Sequence, residues 1–389
     1  MMNSTLKKMK KQRVIVAMSG GVDSSVAAYL LSSLGYEVIG VTLRLWSTED
    51  DSQISTNHQG CCSIDDIEDA RLVCQSIQAP HYVIDARKEF QDHVIEYFTQ
   101  EYQKGRTPHP CIACNDRIKF DFLLNRSQMM NADYIATGHY ARIIRNESQG
   151  YVLQEGIDRL KDQSYVLFGL NQLQLGKILL PIGGYTKTEI RDLALRAGLH
   201  IANKQDSQEI CFIPSGDYRQ FIKNKINPIP GDIIDHLGNV IGQHPGVEFF
   251  TVGQRRGLQI TPSQLGFPEG EKVFVTNVDP ISRTITVGSA ADLLGHSVLV
   301  DRVNYIEGFE PSGPVSIDAK IRYNGLKSPA VLYPNGESAV LKFKYPQRAI
   351  TPGQAAVFYS GDYVLGGGYI GGSAIETSGV IKGANPNSR

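Results

Sequence analysis

The sequence predicts an α/β chain: a parallel-sheet domain, then a small central domain, then a C-terminal β-barrel. Three observations predict it. An apolar run at 14–18 closes on a glycine turn and opens an amphipathic helix. Strand-like and helical segments then alternate as far as residue 198. From Lys272 onward short β-rich segments follow one another between turn signals. The expected boundaries are a disordered basic tail over 1–13, an α/β domain over 14–215, a central domain over 216–290 and a barrel over 291–383.

Composition limits the classes. A chain of 389 residues exceeds one ordinary core, so two or three domains are expected. Hydrophobic residues make up 41% and mean hydropathy is −0.20, enough apolar mass for several globular cores. No run approaches the roughly 18 apolar residues of a membrane span. The first thirteen residues carry five basic side chains and lack the apolar segment of a signal peptide, so a cytoplasmic protein is expected, with no membrane partner. Net charge is −1, which argues against a protein that coats nucleic acid and leaves room for local basic patches.

In chain order, Val14–Met18 reads as a strand, and Ser19-Gly20-Gly21 as a turn into a helix that closes at Gly35. Glu37–Leu43 reads as a second strand, completing a βαβ unit. Residues 47–60 are polar and loop-like. Ser63 and Asp66 form a capping-box pair ahead of a helix with apolar positions at 64, 67, 70, 73, 74 and 77. Tyr82–Ile84 reads as a strand, 87–103 as a helix, Asp133–Thr137 as a strand and 186–197 as a helix ended by Gly198. Residues 226–270 are rich in Gly and Pro. The β pattern then runs through 273–278, 284–287, 297–305, 315–323, 330–333, 339–343, 355–359 and 363–365, with turns such as Pro334-Asn335-Gly336 between. A parallel sheet binds ligands at the carboxyl ends of its strands, and the 19–25 turn lies at such an end.

The string Met18-Ser19-Gly20-Gly21-Val22-Asp23-Ser24-Ser25 carries the first chemistry. Two glycines allow a tight turn with amide N–H groups facing an anion, three serine hydroxyls add donors, and the helix N-terminus adds partial positive charge. The Lys of a Walker A loop is absent, which disfavours γ-phosphate chemistry. Ala136-Thr137-Gly138-His139 ends a later strand, and its glycine allows close backbone approach.

Six cysteines are too few and too irregular for a disulfide framework. Cys74 lies on an apolar helical stripe and reads as core; Cys61 and Cys62 end a polar loop. Cys111 and Cys114, in Thr107-Pro108-His109-Pro110-Cys111-Ile112-Ala113-Cys114-Asn115, precede a helix expected to begin near Asn115. A thiol there, with Arg106, Arg117 and Lys119 close in sequence, is expected to be acidified. Cys211 lies in Gln208-Glu209-Ile210-Cys211-Phe212-Ile213. The three thiols are open to three readings: buried or incidental thiols, a three-thiolate iron–sulfur site on Cys111, Cys114 and Cys211, or redox sulfur chemistry in which one cysteine carries a persulfide and another resolves it. Nothing completes a zinc site.

SGGVDSS resembles the PP-loop of the N-type ATP pyrophosphatases, the adenine nucleotide alpha hydrolase-like fold. With TPHPCIACNDRIKF, ATGHY, KDQSY, QEICFI, GQRRGL, IRYN and TPGQAAVFY in that order, residues 18 to about 368 resemble the bacterial tRNA-specific 2-thiouridylases. The resemblance implies ATP with Mg²⁺ bound by Ala17, Met18, Ser19, Gly20, Gly21, Val22, Asp23, Ser24, Leu43 and Gly138, with Asp23 taking part in catalysis. It implies adenylation of the wobble uridine at O2 of tRNA (expected for Lys, Glu and Gln) and then sulfur transfer to C2. Cys114 becomes the nucleophile, Cys211 the persulfide carrier, and the two form a transient disulfide opened by a cellular reductant. A sulfur-relay or cysteine desulfurase protein would load Cys211. The implied tRNA contacts are His109, Pro110, Cys111, His139, Lys161, Asp162, Gln163, Arg322, Tyr323 and Gln354. Some relatives carry Asp where this chain has Cys111, which leaves its role open. Other readings are a PP-loop synthetase for a small molecule and a non-catalytic RNA-binding module.

Overall fold

The computed structural model describes residues 11–46, 63–146, 150–206, 210–213, 216–373, 375–377 and 380–382. Cys61, Cys62 and most of the expected basic tail lie outside the described residues.

β1 (Arg13–Ala17) alternates between two faces of its sheet. Val14 and Val16 pack with Val26 and Ala27 of helix α1 (Val22–Ser33), while Ile15 joins a cluster with Phe90, Phe98 and Ile118 on the other side. Both faces are covered, as a parallel sheet requires. With β2 (Glu37–Arg44), β3 (His81–Asp85), β4 (Tyr134–Ala136) and β7 (Ile178–Leu179), the sheet has the order β3-β2-β1-β4-β7 and every pairing is parallel. The chain runs outward from β1 in one direction through β2 and β3, then resumes on the other side at β4. That reversal beside β1 is where ligands enter such sheets. Helix α2 (Ile64–Ser76) carries the expected capping box, with Ser63 Oγ accepting from Asp66 N at 3.1 Å.

Helices 87–103 and 110–129 line the same face of the sheet as Ile15. Each contains a π-wound stretch, Gln91–Ile95 and Cys114–Phe122. The second helix begins a turn earlier than the expected start near Asn115. Pro110 occupies its first position, where the missing N–H costs nothing and the fixed φ suits a helix, so Cys111 and Cys114 lie inside the helix.

The central domain holds a four-stranded sheet in the order β10-β11-β8-β9, built from β8 (Gly231–Ile234), β9 (Val240–His244), β10 (Phe274–Asp279) and β11 (Thr284–Gly288). The first two segments of the β-rich run thus belong here. Six strands then close a barrel: β12 (Leu294–Tyr305), β13 (Val315–Lys320), β14 (Ser328–Asn335), β15 (Ser338–Arg348), β16 (Ala355–Ser360) and β17 (Tyr363–Ser373), with β12 pairing both β15 and β17. The hairpin β5 (Ala141–Asn146) and β6 (Gly150–Glu155) was not expected. It leaves the α/β domain and adds to β17 through Gln154 and Leu153. A single hydrophobic cluster runs from Ile15 through Phe98 to Phe249 of the central domain and Val357 and Tyr359 of the barrel.

Candidate active site

The phosphate turn follows β1 directly. Met18 N still donates to Val41 O at 2.8 Å, so the chain leaves the sheet at Ser19. Gly20 has φ +69°, and a Cβ there would lie 2.3 Å from the Asp66 carbonyl oxygen, so only glycine fits. Gly21 caps α1 with extended backbone and no side-chain hydrogen bond, which leaves first-turn amides to serve an anion. Ser19 N donates to Ser24 Oγ at 3.2 Å, and Ser25 Oγ donates to Gly21 O at 2.8 Å. Gly138, just after β4, closes the cradle: a Cβ there would lie 2.6 Å from Ser24 N. Ala17 and Met18 at the end of β1 and Gly138 after β4 thus border the turn, while Leu43, near the carboxyl end of the neighbouring β2, packs into the cluster of Ile15 and Phe90.

Asp23, in the first turn of α1, accepts from Tyr140 Oη at 2.7 Å and from Lys187 Nζ at 2.8 Å. Burial, reinforced by the Asp23 charge, raises the Tyr140 phenol, which stays protonated as a donor. Tyr140 is itself held by Gln163, whose Oε1 accepts from Tyr140 N at 3.0 Å. Neither Tyr140 nor Lys187 stood out in the sequence, because each lies more than a hundred residues from Asp23.

The second region is lined by helix 110–129 and the barrel. His109 precedes the helix, Cys111 is exposed in its first turn and Cys114 is buried one turn on. Asn115 Nδ2 donates to Val166 O at 3.0 Å in the core, fixing the π-wound turn that carries Cys114. Cys114 belongs to the cluster of Phe90, Phe98 and Ile118, and Cys211 packs against the same cluster. Next to Cys211, Phe212 meets Phe90 and Phe98 edge-on with centroids 5.7 and 5.4 Å apart. Two of the three cations expected to acidify Cys114 have other partners: Arg106 Nε lies 2.7 Å from Glu101, and Arg117 lies 3.4 Å from Asp121.

His109, Tyr165 and Tyr323 form an aromatic group, with His109–Tyr323 centroids 5.6 Å apart and Tyr165–Tyr323 5.8 Å. Burial pushes His109 down to about 4, so its imidazole is neutral near pH 7, and its Nδ1 is buried without a hydrogen-bond partner. Burial, then the charges of Asp162 and Cys111, push Tyr323 up to about 12. The three domains lock behind this group. Thr107 N donates to Pro352 O at 2.8 Å, Gln354 Nε2 donates to Thr107 O at 2.9 Å, and Thr107 meets Thr251 of the central domain at 3.0 Å.

The chain was compared with known proteins. Residues 12–215 match the tRNA methyl transferase HUP domain, 219–289 the tRNA methyl transferase PRC-barrel domain, and 295–370 the aminomethyltransferase β-barrel domain. The tRNA-specific 2-thiouridylase MnmA of Desulforamulus reducens is 46% identical over 364 residues, covering 92% of this chain and 97% of the relative. The protein of the same name from Pelotomaculum thermopropionicum is 46% identical over 374 residues, covering 95% and 99%. The chain belongs to the tRNA-specific 2-thiouridylase MnmA family. Among solved structures, a 4-thiouridine synthetase–RNA complex with bound ATP is a distant likeness, at 16% identity and TM-score 0.33 over 55% of this chain and 50% of that one.

The residues that the 2-thiouridylase resemblance implies for tRNA fall into two groups. His109, Pro110, Cys111 and Tyr323 come together where the start of the helix 110–129 meets the barrel. The others have internal roles in this structure. His139 is 6% exposed and bonded to Thr137 through Nδ1 at 2.7 Å. Asp162, 8% exposed, accepts from Gly156 N, Ser164 N and Ser164 Oγ at 3.0, 3.1 and 2.9 Å. Lys161 pairs with Asp206 at 2.8 Å, Gln163 holds Tyr140, and Gln354 holds Thr107. Arg322 donates to the carbonyls of Arg348 and Ala349 from an exposed turn beyond β13. Among the described residues, no three or more His, Cys, Asp or Glu side chains are grouped to hold a metal ion, and Cys111, Cys114 and Cys211 form no such set. No helix among the described residues is long and apolar enough to cross a membrane.

Proposed function

We propose that this protein thiolates the wobble uridine of tRNA at C2, consuming ATP, and that Cys211 carries the sulfur and Cys114 releases it. The observation that carries this reading is that Phe212, next to Cys211, packs on Phe90 and Phe98 of the helix 87–103, and that this helix packs against the helix of Cys114, which His109 precedes and where His109 meets Tyr323. A second support is the glycine cradle at Gly20 and Gly138, too close to backbone for any Cβ and suited to a pyrophosphate. The near-wholesale match to the 2-thiouridylases supplies the substrate class.

The chemistry divides between the two regions. The phosphate turn holds the triphosphate of ATP while O2 of uridine attacks the α-phosphorus and pyrophosphate leaves. Mg²⁺ would be held through the Asp23 carboxylate, a third of which is open to solvent, and would offset phosphate charge. Oxygen bound to AMP becomes a leaving group that oxygen on C2 is not. The terminal sulfur of the Cys211 persulfide then forms the bond to C2 as AMP departs. Cys114 thiolate attacks the inner sulfur of Cys211, and the resulting disulfide needs two electrons from a cellular thiol reductant to reopen. A wobble base lies in an unpaired loop, and turning it out toward Tyr323 costs less than opening a duplex. Neutral His109 can hydrogen-bond the uracil without adding charge. The tRNAs for Lys, Glu and Gln, and a sulfur-relay or cysteine desulfurase donor, complete the reading.

The test combines the full chain with unmodified tRNA, ATP, Mg²⁺ and a persulfide donor, with 2-thiouridine read by mass spectrometry after digestion. Product from the native chain, absent with Cys211→Ala, is expected. Undiminished product from Cys211→Ala would overturn the sulfur route.

A further inference from the structure

Resting on that reading, we infer that Cys111 is the resolving thiol of the cycle: it opens the Cys114–Cys211 disulfide and carries the oxidation to the protein surface as a Cys111–Cys114 disulfide. The proposed sulfur route uses Cys114 and Cys211 and leaves Cys111 without a task. Among the described residues, Cys74, Cys111, Cys114 and Cys211 all lie outside any disulfide. Cys74 is buried in α2, and burial pushes its thiol up to about 11, which removes it from thiolate chemistry.

Cys111 and Cys114 share the first turn of the helix 110–129, and the backbone there is tight. Cys114 N donates to both Cys111 O and Pro110 O. The bond to Cys111 O spans three residues, and a turn of that kind brings the side chains at i and i+3 toward one line. Helical geometry sets the two Cα atoms about 5 Å apart, inside the ~4.4–6.8 Å that a disulfide bridges. Pro110, at the first position, has no N–H to unpair if this end of the helix adjusts.

The two thiols face different surroundings. Cys111 is exposed, whereas Cys114 is 8% exposed. A reductant from outside must reach a sulfur in line with the bond it breaks. In a Cys114–Cys211 disulfide one sulfur is buried in this helix, and the other is followed by the buried Phe212 and Ile213. Cys111 is tethered three residues from Cys114, an advantage no external thiol has. Cys111 also stands close enough to Tyr323 for its charge to act on that phenol. A base held against Tyr323 would cover it, so the pair opens to reductant after the product leaves.

The exchange balances within the chain. The Cys111 thiolate forms a bond to the Cys114 sulfur as the Cys114–Cys211 bond breaks, and the bonding pair leaves on Cys211 as its thiolate. Cys211 is then ready for the next sulfur from a persulfide donor. The Cys111–Cys114 disulfide takes two electrons and two protons from a cellular dithiol, which departs as its own disulfide.

The test is a single turnover on the full chain, with persulfide-loaded protein, unmodified tRNA, ATP and Mg²⁺ and no reductant. Acid quench and capping of thiols with N-ethylmaleimide follow. Trypsin cuts after Arg106 and Arg117, so one peptide carries both Cys111 and Cys114 and a separate one carries Cys211. Mass spectrometry without reduction thus separates an internal bridge in the first peptide from a cross-link between the two. The native chain is expected to show the internal bridge in about tenfold or greater excess, with Cys211 capped. In Cys111→Ser, checked for folding by circular dichroism, the cross-link should persist for whatever 2-thiouridine is formed. A native chain that makes 2-thiouridine yet keeps the cross-link would overturn the inference. So would a folded Cys111→Ser protein that makes 2-thiouridine and yields Cys211 to the capping reagent as the native chain does. Iron bound through Cys111 and Cys114 after anaerobic purification would overturn it too, because ligated thiolates do not exchange. A native chain that forms no 2-thiouridine, or forms it with no disulfide, would instead overturn the sulfur route on which the inference rests.

Discussion

The phosphate turn and the thiol region are built in opposite ways. The turn uses consecutive residues, 18 to 25, and most of its chemistry is backbone: amides at a helix start and two glycines where no Cβ fits. The thiol region draws on His109–Cys114 and Tyr165, on Cys211 from a separate stretch of the α/β domain and on Tyr323 beyond β13 of the barrel. A phosphate is small, and one turn can surround its oxygens. A base turned out of a folded RNA needs walls on several sides, and walls come from different parts of a chain. Damage to the turn should therefore act on nucleotide, damage to the thiol region on RNA and sulfur, each sparing the other.

The largest break in this division is expected at the sulfur. Cys211→Ala should cut thiolation by about 1,000-fold or more while nucleotide affinity, measured by calorimetry, stays within about twofold. Loss of nucleotide binding in that variant would show that the two regions are not separable. Next comes Gly20→Ala. Its Cβ would meet the Asp66 carbonyl at 2.3 Å in a left-handed backbone. A cost of roughly 2 kcal/mol, or about thirtyfold in nucleotide affinity, is expected, with the Cys114 alkylation rate unmoved. Tyr323→Ala should raise KM for tRNA by about tenfold, since a base stacked on an aromatic ring contributes ~1–3 kcal/mol; Tyr323→Phe should retain most of the affinity.

A smaller effect sharpens what holds the thiol region in place. Burial, then the charge of Asp121, pushes the Asp116 carboxyl up to about 7, and its Oδ1 is buried without a hydrogen-bond partner. The folded chain therefore keeps that proton more tightly than the unfolded chain does. The cost of ionising it is absent below pH 3.8, grows as pH rises and is complete above about pH 7. Asp116→Asn should raise thermal stability at pH 8 by about 1–2 kcal/mol and leave it unchanged below about pH 4, as melts across pH would record. The smallest effect is expected for Gln354→Ala, which removes one hydrogen bond to Thr107 O between barrel and α/β domain. A loss of about 1 kcal/mol and a modest rise in KM for tRNA should follow, with ATP–pyrophosphate exchange unchanged.

The difference in construction also decides what a sequence reader can see. Val14–Met18 followed by Ser-Gly-Gly is legible because strand, turn and helix are local, and Ser63 with Asp66 announced a cap that the structure contains. The helix at Cys111 was placed a turn too late, because the prolines around His109 read as loop although one of them starts the helix. Strand pairings between distant segments left no local mark. The hairpin 141–155 gives no sign that it will join a barrel strand two hundred residues away. Nor does the sequence show that Asp162 accepts from two backbone amides and the Ser164 hydroxyl, or that Gln354 donates to Thr107.

By itself, the sequence determined the phosphate turn, the parallel βαβ unit and the change to β-structure after Lys272. Each depends on residues near one another and on backbone geometry that glycine, proline and apolar spacing dictate. Only the tertiary structure decided which side chains meet. It brought Phe212, beside Cys211, onto Phe90 and Phe98, Tyr323 to His109, and Lys187 between Asp23 and Asp206. The physical reason is that burial and long-range ion pairing assign a partner to each polar group, and those partners exist only after the sheets have closed.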